Sequence, residues 1–162
     1  MSQPVPPPSG NPFADQGVPF APAPPPAPVR DNVALGLVTA VVVALVAGGI
    51  YGGIAGAIER EIGWAAIGVG FITGFAAGKV GGRNPLLPVV SVVCSLVAVY
   101  LGQLLAIAVI MADLTGASVT EVLFDNFSQV MDLWNESKDV MTFLFFGLAG
   151  FAAFSGAKKS AE

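Results

Sequence analysis

Four long apolar segments follow one another along this chain, and short polar stretches separate them. The segments cover about residues 33–58, 62–78, 85–112 and 140–157. A helix needs roughly 17 or more apolar residues to cross the hydrocarbon core of a bilayer, and even the second and shortest segment reaches that length. The pattern therefore predicts an all-α fold: a four-transmembrane-helix bundle that forms a membrane domain at 31–158.

The polar interval between the third and fourth segments has a helical pattern of its own. Apolar residues recur three or four positions apart, which predicts an amphipathic, extracytoplasmic helix over about 118–135. Ser118 followed by Glu121 matches a capping box at its start. Because the polar face is acidic and anionic headgroups would repel it, we expect the helix to rest as a lid on the ends of the membrane helices. The expected contact residues are Val119, Leu123, Phe127, Val130 and Trp134.

Two rows of small residues at four-residue spacing lie in the first two segments. The rows are Gly36, Ala40, Ala44, Gly48, Gly52, Gly56 and Ala66, Gly70, Gly74, Gly78, Gly82. Small residues let helix backbones approach closely in lipid, so both rows predict helix packing. The predicted packing positions are Gly48, Gly52, Gly56, Gly70, Gly74 and Gly78. In an antiparallel hairpin Gly52 is level with Gly70 and Gly48 with Gly74, so we expect the rows to meet each other.

The length of the first row limits this arrangement. On a helix of 3.6 residues per turn, each four-residue step advances about 40° beyond a full turn, so the row winds through about 200°. One neighbour cannot cover that arc. Either the helices cross at about −40° and part of the row has no partner, or the row serves one neighbour in this chain and one in another copy. Leucine at Gly102, outside both rows, is expected to be milder than leucine at Gly52 or Gly74.

Composition supports the membrane interpretation. Hydrophobic residues make up 54% of the 162 residues and charged residues 11%, which is too apolar for an ordinary soluble domain of this size. The net charge is −4 and no basic patch is present, so nucleic acid is not an expected partner. The predicted partner is the lipid bilayer.

Residues 1–30 have a different composition from the rest. They hold most of the chain's 13 prolines, which predicts a disordered cytoplasmic tail with a polyproline bias. The segment lacks the basic start and apolar core of a cleavable signal peptide, so we expect it to be retained. Asn-Pro-Phe at 11–13 and Val-Pro-Phe at 18–20 are candidate docking motifs for a cytoplasmic partner, and a solubilising linker is the alternative.

The basic residues favour one orientation. Four spans place both termini on one side, and that side holds Arg30, Lys79, Arg83, Lys158 and Lys159. The other side holds two cations, Arg60 and Lys138. The positive-inside rule then predicts a multi-pass protein of the cell membrane with cytoplasmic N- and C-termini. Trp64 and Trp134 fall near the opposite interface and are predicted interface anchors.

Residues that carry chemistry are few. The chain has no histidine, and no Asp, Glu, Lys or Arg lies near the centre of a span, so we expect no catalytic, cofactor-binding or metal site and no enzyme activity. Cys94 has apolar neighbours and is interpreted as a small buried hydrophobe. Gln103 and Ser95, deep in the third segment, are interpreted as interhelical hydrogen-bond partners. The charged step at 59–61 is interpreted as a solvated turn, with cation or partner binding as the alternative.

The chain resembles small four-helix integral membrane proteins of actinobacterial type with a Pro-rich N-terminal tail. The stretches that carry the resemblance are the tail with Asn-Pro-Phe-Ala, GGIYGGIAGAIEREIGWAAIGVGFITGFAAGKVGGRNP and DVMTFLFFGLAGFAAF. It implies four helices and no established activity. The predicted function is a non-enzymatic scaffold or accessory subunit that packs through its glycine rows, as a homo-oligomer or with a membrane protein partner. The alternative is a small oligomeric pore or channel, since glycine rows also resemble the glycine zippers of small channels.

Overall fold

The computed structural model describes residues 32–162, and these form six helices without any strand. The helices are α1 (Val33–Ala57), α2 (Gly63–Gly81), α3 (Leu86–Thr115), α4 (Val119–Asp125), α5 (Phe127–Ser137) and α6 (Val140–Ala161). The all-α prediction is confirmed for this part of the chain. The Pro-rich segment at 1–30 and its two candidate docking motifs lie outside the described residues.

Four of these helices are long and apolar enough to cross a membrane. They are α1, α2, α3 and α6, with mean hydropathy between 1.3 and 2.6 over their most apolar windows. The chain is therefore a multi-pass membrane protein by helix length and composition. α2 continues three residues beyond the predicted segment, and Gly82 ends it with a φ of 84°, a conformation that glycine adopts readily.

Short polar side chains fix where several helices begin. The Asn32 side chain accepts a hydrogen bond from the backbone N–H of Leu35 at 3.3 Å and caps α1. The Ser118 hydroxyl accepts one from the Glu121 N–H at 3.2 Å, so the predicted N-cap of the amphipathic segment is present. Each of these contacts satisfies a backbone donor that the first helical turn leaves free.

The most extensive helix pairs are not neighbours in sequence. α2 packs most extensively against α6, and α1 packs against α3. Both pairs are parallel, because contacts advance in the same direction along the two helices. Within the described residues α1 and α6 do not touch, so α2 and α3 form the shared centre of the bundle.

The two glycine rows face these parallel partners, and the predicted contact between the rows is wrong. A Cβ atom at Gly48 would lie 2.6 Å from the carbonyl oxygen of Ala98 on α3. At Gly52 it would lie 2.9 Å from the Cα of Gly102, and at Gly56 2.6 Å from the Cβ of Val109. Real Cβ atoms essentially never come within 3.0 Å of another heavy atom, so α1 approaches α3 as closely as backbones allow.

The second row faces α6 in the same way. Its glycines at 70, 74 and 78 lie against Ala149, Ala153 and Ala157, which are 0–1% exposed. Successive glycines four residues apart on α2 lie against successive alanines four residues apart on α6. The physical reason for the correction is that α3 and α6 carry small residues of their own at this spacing, so each glycine row has a partner other than the one predicted.

The first row of small residues winds around α1, and the helices that it packs against belong to this chain. At its start, a Cβ on Gly36 would lie 2.7 Å from the Cα of Gly81 on α2, whereas the row's later glycines face α3. Two neighbours therefore share the arc, as in the second of the two predicted arrangements, but both belong to this chain and neither to another copy. Gly102 is part of the same contact, since a Cβ there would lie 2.8 Å from the Gly48 carbonyl oxygen. The expectation that leucine is milder at Gly102 is not supported by this geometry.

The predicted amphipathic helix is two short helices that pack along α3. The break is at Asn126 (φ −116°, ψ 25°), between α4 and α5. Val122 and Val130 are 0–1% exposed against the last turns of α3, while Phe127 remains 47% exposed. The expected lid over several helix ends is thus a pair of short helices packed mainly along α3, and Phe127 is a wrong contact residue because nearly half of its surface is exposed.

The bundle has two distinct ends. At one end of the bundle, α1 ends level with Val109 of α3. α3 continues for six more residues, which adds about 9 Å of helix. We call α4, α5 and the α3 segment at 104–115 the cap, and this end the cap end. The opposite end holds the α2–α3 turn and the end of α6, and we call it the basic end. Its basic residues are Lys79, Arg83, Lys158 and Lys159.

Candidate functional site

A polar cluster lies where the cap meets the bundle, and Gln103 is at its centre. The Gln103 amide Nε2 donates a hydrogen bond to Glu61 Oε1 at 2.8 Å. Its Oε1 accepts one from the indole Nε1–H of Trp134 at 2.9 Å. One buried amide therefore joins α3 to the α1–α2 loop on one side and to α5 on the other.

Trp134 is held by two further contacts. Its ring lies edge-on to Tyr100, with ring centroids 4.9 Å apart and planes at 90°. The Lys138 ammonium lies 4.9 Å from the Trp134 ring centroid, on the distance scale of a cation–π contact. Trp134, a predicted interface anchor, also connects elements within the chain through its indole N–H, which is paired with Gln103.

The α1–α2 loop brings Glu61 to this position through an unusual turn. Glu59 has a φ of 52°, in the left-handed region that residues with a Cβ seldom adopt. The Arg60 N–H donates to the Ala55 carbonyl at 3.1 Å and closes the turn. The charged step at 59–61 is thus a tight turn whose three residues are exposed, in agreement with the predicted solvated turn. One of its side chains, that of Glu61, also accepts the hydrogen bond from Gln103.

A cavity of about 150 Å³ opens beside these residues. Polar groups of Tyr51, Glu61, Gln103 and Thr142 line it, together with apolar side chains of α1 and α3. Asp139 is the N-cap of α6 and forms a capping box with Thr142, which is one of the lining residues. Its Oδ1 accepts from the Thr142 N–H at 2.8 Å, and its own N–H donates to the Thr142 hydroxyl at 3.3 Å.

The two carboxyl groups of the cluster have opposite electrostatic surroundings. Desolvation by the surrounding helices, together with the nearby charge of Asp139, raises the pKa of Glu61 above its usual range, against the hydrogen bond from Gln103. Hydrogen bonds from Thr142 lower the pKa of Asp139. A proton added to the cluster therefore binds first to Glu61.

The chemistry of the cluster fits a mechanical role. Within residues 32–162 no three His, Cys, Asp or Glu side chains come together in a way that could hold a metal ion. The cluster and its cavity hold an amide, an indole, phenols, carboxyls and the cations of Arg60 and Lys138. The contacts described among them are hydrogen bonds, an edge-on ring contact and a cation–π contact. Their arrangement ties the cap to the first loop of the bundle.

A second candidate surface is a groove between α1 and α2 on the outer surface of the bundle. It has a volume of about 430 Å³ and an almost wholly apolar lining that includes Val46, Ile50 and Ile72. Gly68 also lines it, and a Cβ there would have no neighbour within 4 Å. α1 is 22% buried over its most apolar window, the lowest value of the four spans. This face of the bundle therefore has room for a further apolar element.

The other residues predicted from sequence have these positions. The six packing glycines lie in the α1–α3 and α2–α6 contacts, and Trp64 is 77% exposed with its ring 6.2 Å from that of Phe145. Gln103 has the predicted bonding role, but toward a loop and the cap and not toward another span. The Ser95 hydroxyl donates to the Val92 carbonyl at 2.9 Å in its own helix, so its interhelical role is wrong.

Two features of these contacts were not predicted from the sequence. The pairing of Glu61 with Gln103 joins residues 42 positions apart, and no local pattern signals it. The row Ala149, Ala153, Ala157 has the same four-residue period as the glycine rows and could have been found. The sequence matches no protein-family model, and neither sequence nor structure finds a match among the curated proteins and solved structures compared.

Proposed function

We propose that this chain is a non-enzymatic, multi-pass scaffold or accessory subunit of the cell membrane, with cytoplasmic termini and an extracytoplasmic cap. In the bilayer, an apolar transmembrane helix of a partner protein occupies the groove between α1 and α2. The observation that carries the proposal is the groove itself, apolar along its length and lined by a glycine with free space above it.

The use of glycines elsewhere in the chain supports this occupant. In the α1–α3 and α2–α6 contacts, glycines are placed where another helix backbone lies within van der Waals distance. Gly68 contacts nothing in the single chain, as is also true of Gly49, Gly53 and Gly147, but of these four glycines Gly68 is the one that lines the groove. A partner helix at Gly68 would provide the close approach that small residues permit in lipid.

The alternative function, an oligomeric pore, has less support. The four-helix interior of the described residues is filled by buried side chains such as those of Leu87 and Val99, and by close backbone contacts such as that of Gly74 with Ala153. A pore would therefore lie between copies, yet the charged groups lie at the two ends of the bundle. The faces available to line a pore between copies are apolar. The candidate cytoplasmic partner of the Pro-rich segment is a separate proposal and does not depend on the groove.

Photo-crosslinking in native membranes tests the proposal. A photoreactive residue at Ile50, which is 58% exposed in the groove, should crosslink one recurrent membrane protein that mass spectrometry identifies. The same residue at Phe151, 70% exposed on α6, should not. Gly68→Leu would fill the groove and should abolish the adduct.

Gly147→Leu is the matched control, because a Cβ at Gly147 also meets nothing within 4 Å but lies on α6. It should leave the adduct unchanged. Lipid adducts alone at Ile50, or protein adducts indifferent to Gly68→Leu, would contradict the proposal. Adducts made only of second copies would favour the oligomeric alternative, which conductance measurements in planar bilayers would then test.

A further inference from the structure

An open pocket lies at the basic end, between the α2–α3 turn and the last turn of α6. Its volume is about 500 Å³, and its lining includes Arg83, Asn84, Pro88, Lys158 and Glu162. Two of the basic side chains of this end therefore face one concavity. A further basic residue, Lys159, lies beside Lys158 in sequence but outside the lining.

Both cations of the pocket are held in place by the fold. The Arg83 guanidinium donates from Nε to the Ala161 carbonyl and from Nη2 to the Glu162 carbonyl, each at 2.9 Å. A guanidinium has five N–H donors, so three remain for a ligand. The Lys158 ammonium lies 4.8 Å from the centroid of the Phe154 ring, one turn earlier on α6.

The charge distribution favours an anion at this position. Within the described residues, Glu162 is the one acidic side chain at the basic end, against four basic ones, of which Arg83 and Lys158 line the pocket with it. The other described acids lie in the α1–α2 loop, in the cap or at the start of α6. Arginine and lysine together on a pocket wall are typical partners of a phosphate group.

The helices that flank the pocket are apolar on their exposed surfaces. Leu86 and Val89 in the first turns of α3 are 49% and 54% exposed, and Phe154 near the end of α6 is 36% exposed. A ligand with a negative head and apolar chains matches a basic pocket followed by such surfaces. We propose that this pocket binds the phosphate headgroup of an anionic phospholipid. The proposal rests on the bundle crossing a bilayer and is independent of any partner in the α1–α2 groove.

Native mass spectrometry of the full chain in mild detergent tests the proposal with phosphatidylglycerol, phosphatidylcholine and inorganic phosphate as separate additives. Phosphatidylglycerol should remain bound and raise the midpoint of thermal unfolding, while phosphatidylcholine and inorganic phosphate should do neither. Lys158→Gln should weaken phosphatidylglycerol binding about five-fold, as expected for one basic group at an anionic headgroup.

Lys159→Gln is the matched control, since it removes an equal charge from the same turn without touching the pocket lining. It should leave binding within about two-fold. Lys158→Gln is preferred to Arg83→Gln because it leaves the bonds from Arg83 to the end of α6 intact. Equal losses in the two lysine variants would show general attraction to anionic lipid and overturn the site. Equal binding of phosphatidylcholine, or an equal effect of inorganic phosphate, would overturn the assignment to an anionic lipid.

Discussion

Gly74 on α2 and Ala153 on α6 are in backbone contact. A Cβ atom added to Gly74 would lie 2.8 Å from the Cα of Ala153, and closer still to its carbonyl oxygen. Nothing larger than hydrogen fits at that position without separating the helices. The same relationship repeats one turn away on each side, at Gly70 and at Gly78. The α2–α6 pair is thus a contact made by backbones along three turns.

Gly74→Leu should therefore lower the free energy of unfolding in detergent by about 3 kcal/mol or more, because overpacking against backbone cannot be relieved by a change of side-chain rotamer. Gly68→Leu, on the same helix but facing free space, should change it by less than about 1 kcal/mol. Denaturant unfolding followed by circular dichroism measures both. Equal tolerance at the two positions would show that the α2–α6 contact is not this close.

Gly52 and Gly102 should behave as one unit. Each lies against the other's helix backbone, so Gly52→Leu and Gly102→Leu should each destabilise the bundle strongly. The double variant should cost less than the sum of the two, because the first leucine already separates α1 from α3. A double-mutant cycle on the same unfolding assay gives the coupling. Strict additivity would argue against a shared contact.

Gln103→Leu should release the cap without unfolding the bundle. The variant keeps a similar volume but removes both hydrogen bonds of the amide, which leaves the Trp134 N–H unpaired. Amide hydrogen exchange of α5 should become faster, while exchange in α2 should not change. Gln129→Leu, an exposed change within α5 itself, is the control and should have little effect. Unchanged protection of α5 in Gln103→Leu would contradict the bridging role.

Glu61→Gln tests the electrostatics of the cluster. Since the pKa of Glu61 is raised in the folded protein, the folded state binds this proton more tightly than the unfolded chain does. Stability should thus fall as the pH rises from the ordinary carboxyl range through the raised value. Glu61→Gln should remove that fall and be more stable than the parent protein above it, with no gain at lower pH.

Asp139 has the opposite effect on the pH dependence of stability. Its lowered pKa gives stability that is lost only as the pH falls below the ordinary carboxyl range. The two groups therefore act in separate pH windows. Glu59→Gln removes the same charge from the same loop, although Glu59 makes no hydrogen bond to Gln103, and serves as the control. If Glu59→Gln reproduced the effect of Glu61→Gln, loop charge in general would be the cause.

Cysteine labelling tests the proposed orientation. In a Cys94→Ala background, Ser128→Cys in the cap should react with an impermeant thiol reagent in intact cells. Lys159→Cys at the basic end should react only after permeabilisation, because the cation distribution favours a cytoplasmic basic end. Both substituted residues are exposed. The reverse labelling pattern would show the opposite orientation.

The four long helices could be predicted because a membrane span is a property of one continuous segment. Its apolar length is visible without knowledge of any other segment, so even the short α2 was located within three residues at its end. The N-cap at Ser118 could be predicted for the same reason, because capping is local.

The partners of the helices could not be predicted in this way. A four-residue row of glycines marks a helix that is approached closely, but every similar row is an equally good partner for it. The hairpin between α1 and α2 satisfied the spacing as well as the observed parallel pairs do. The link from Glu61 through Gln103 to Trp134 depends on that pairing, and so it was equally hidden. The break at Asn126 interrupts an apolar stripe that continues across it in sequence.

The parallel pairing has a consequence for how the protein is made. Helices enter the membrane in chain order, so α1 and α2 are both present before either has its principal neighbour. α1 can complete its close contact only when α3 arrives, and α2 waits for α6, the last helix to be synthesised. A nascent chain that stops before Val140 would keep the glycines of α2 facing lipid. Productive assembly is then a late, long-range event, and the unfinished intermediate exposes close-packing surfaces that the complete bundle covers.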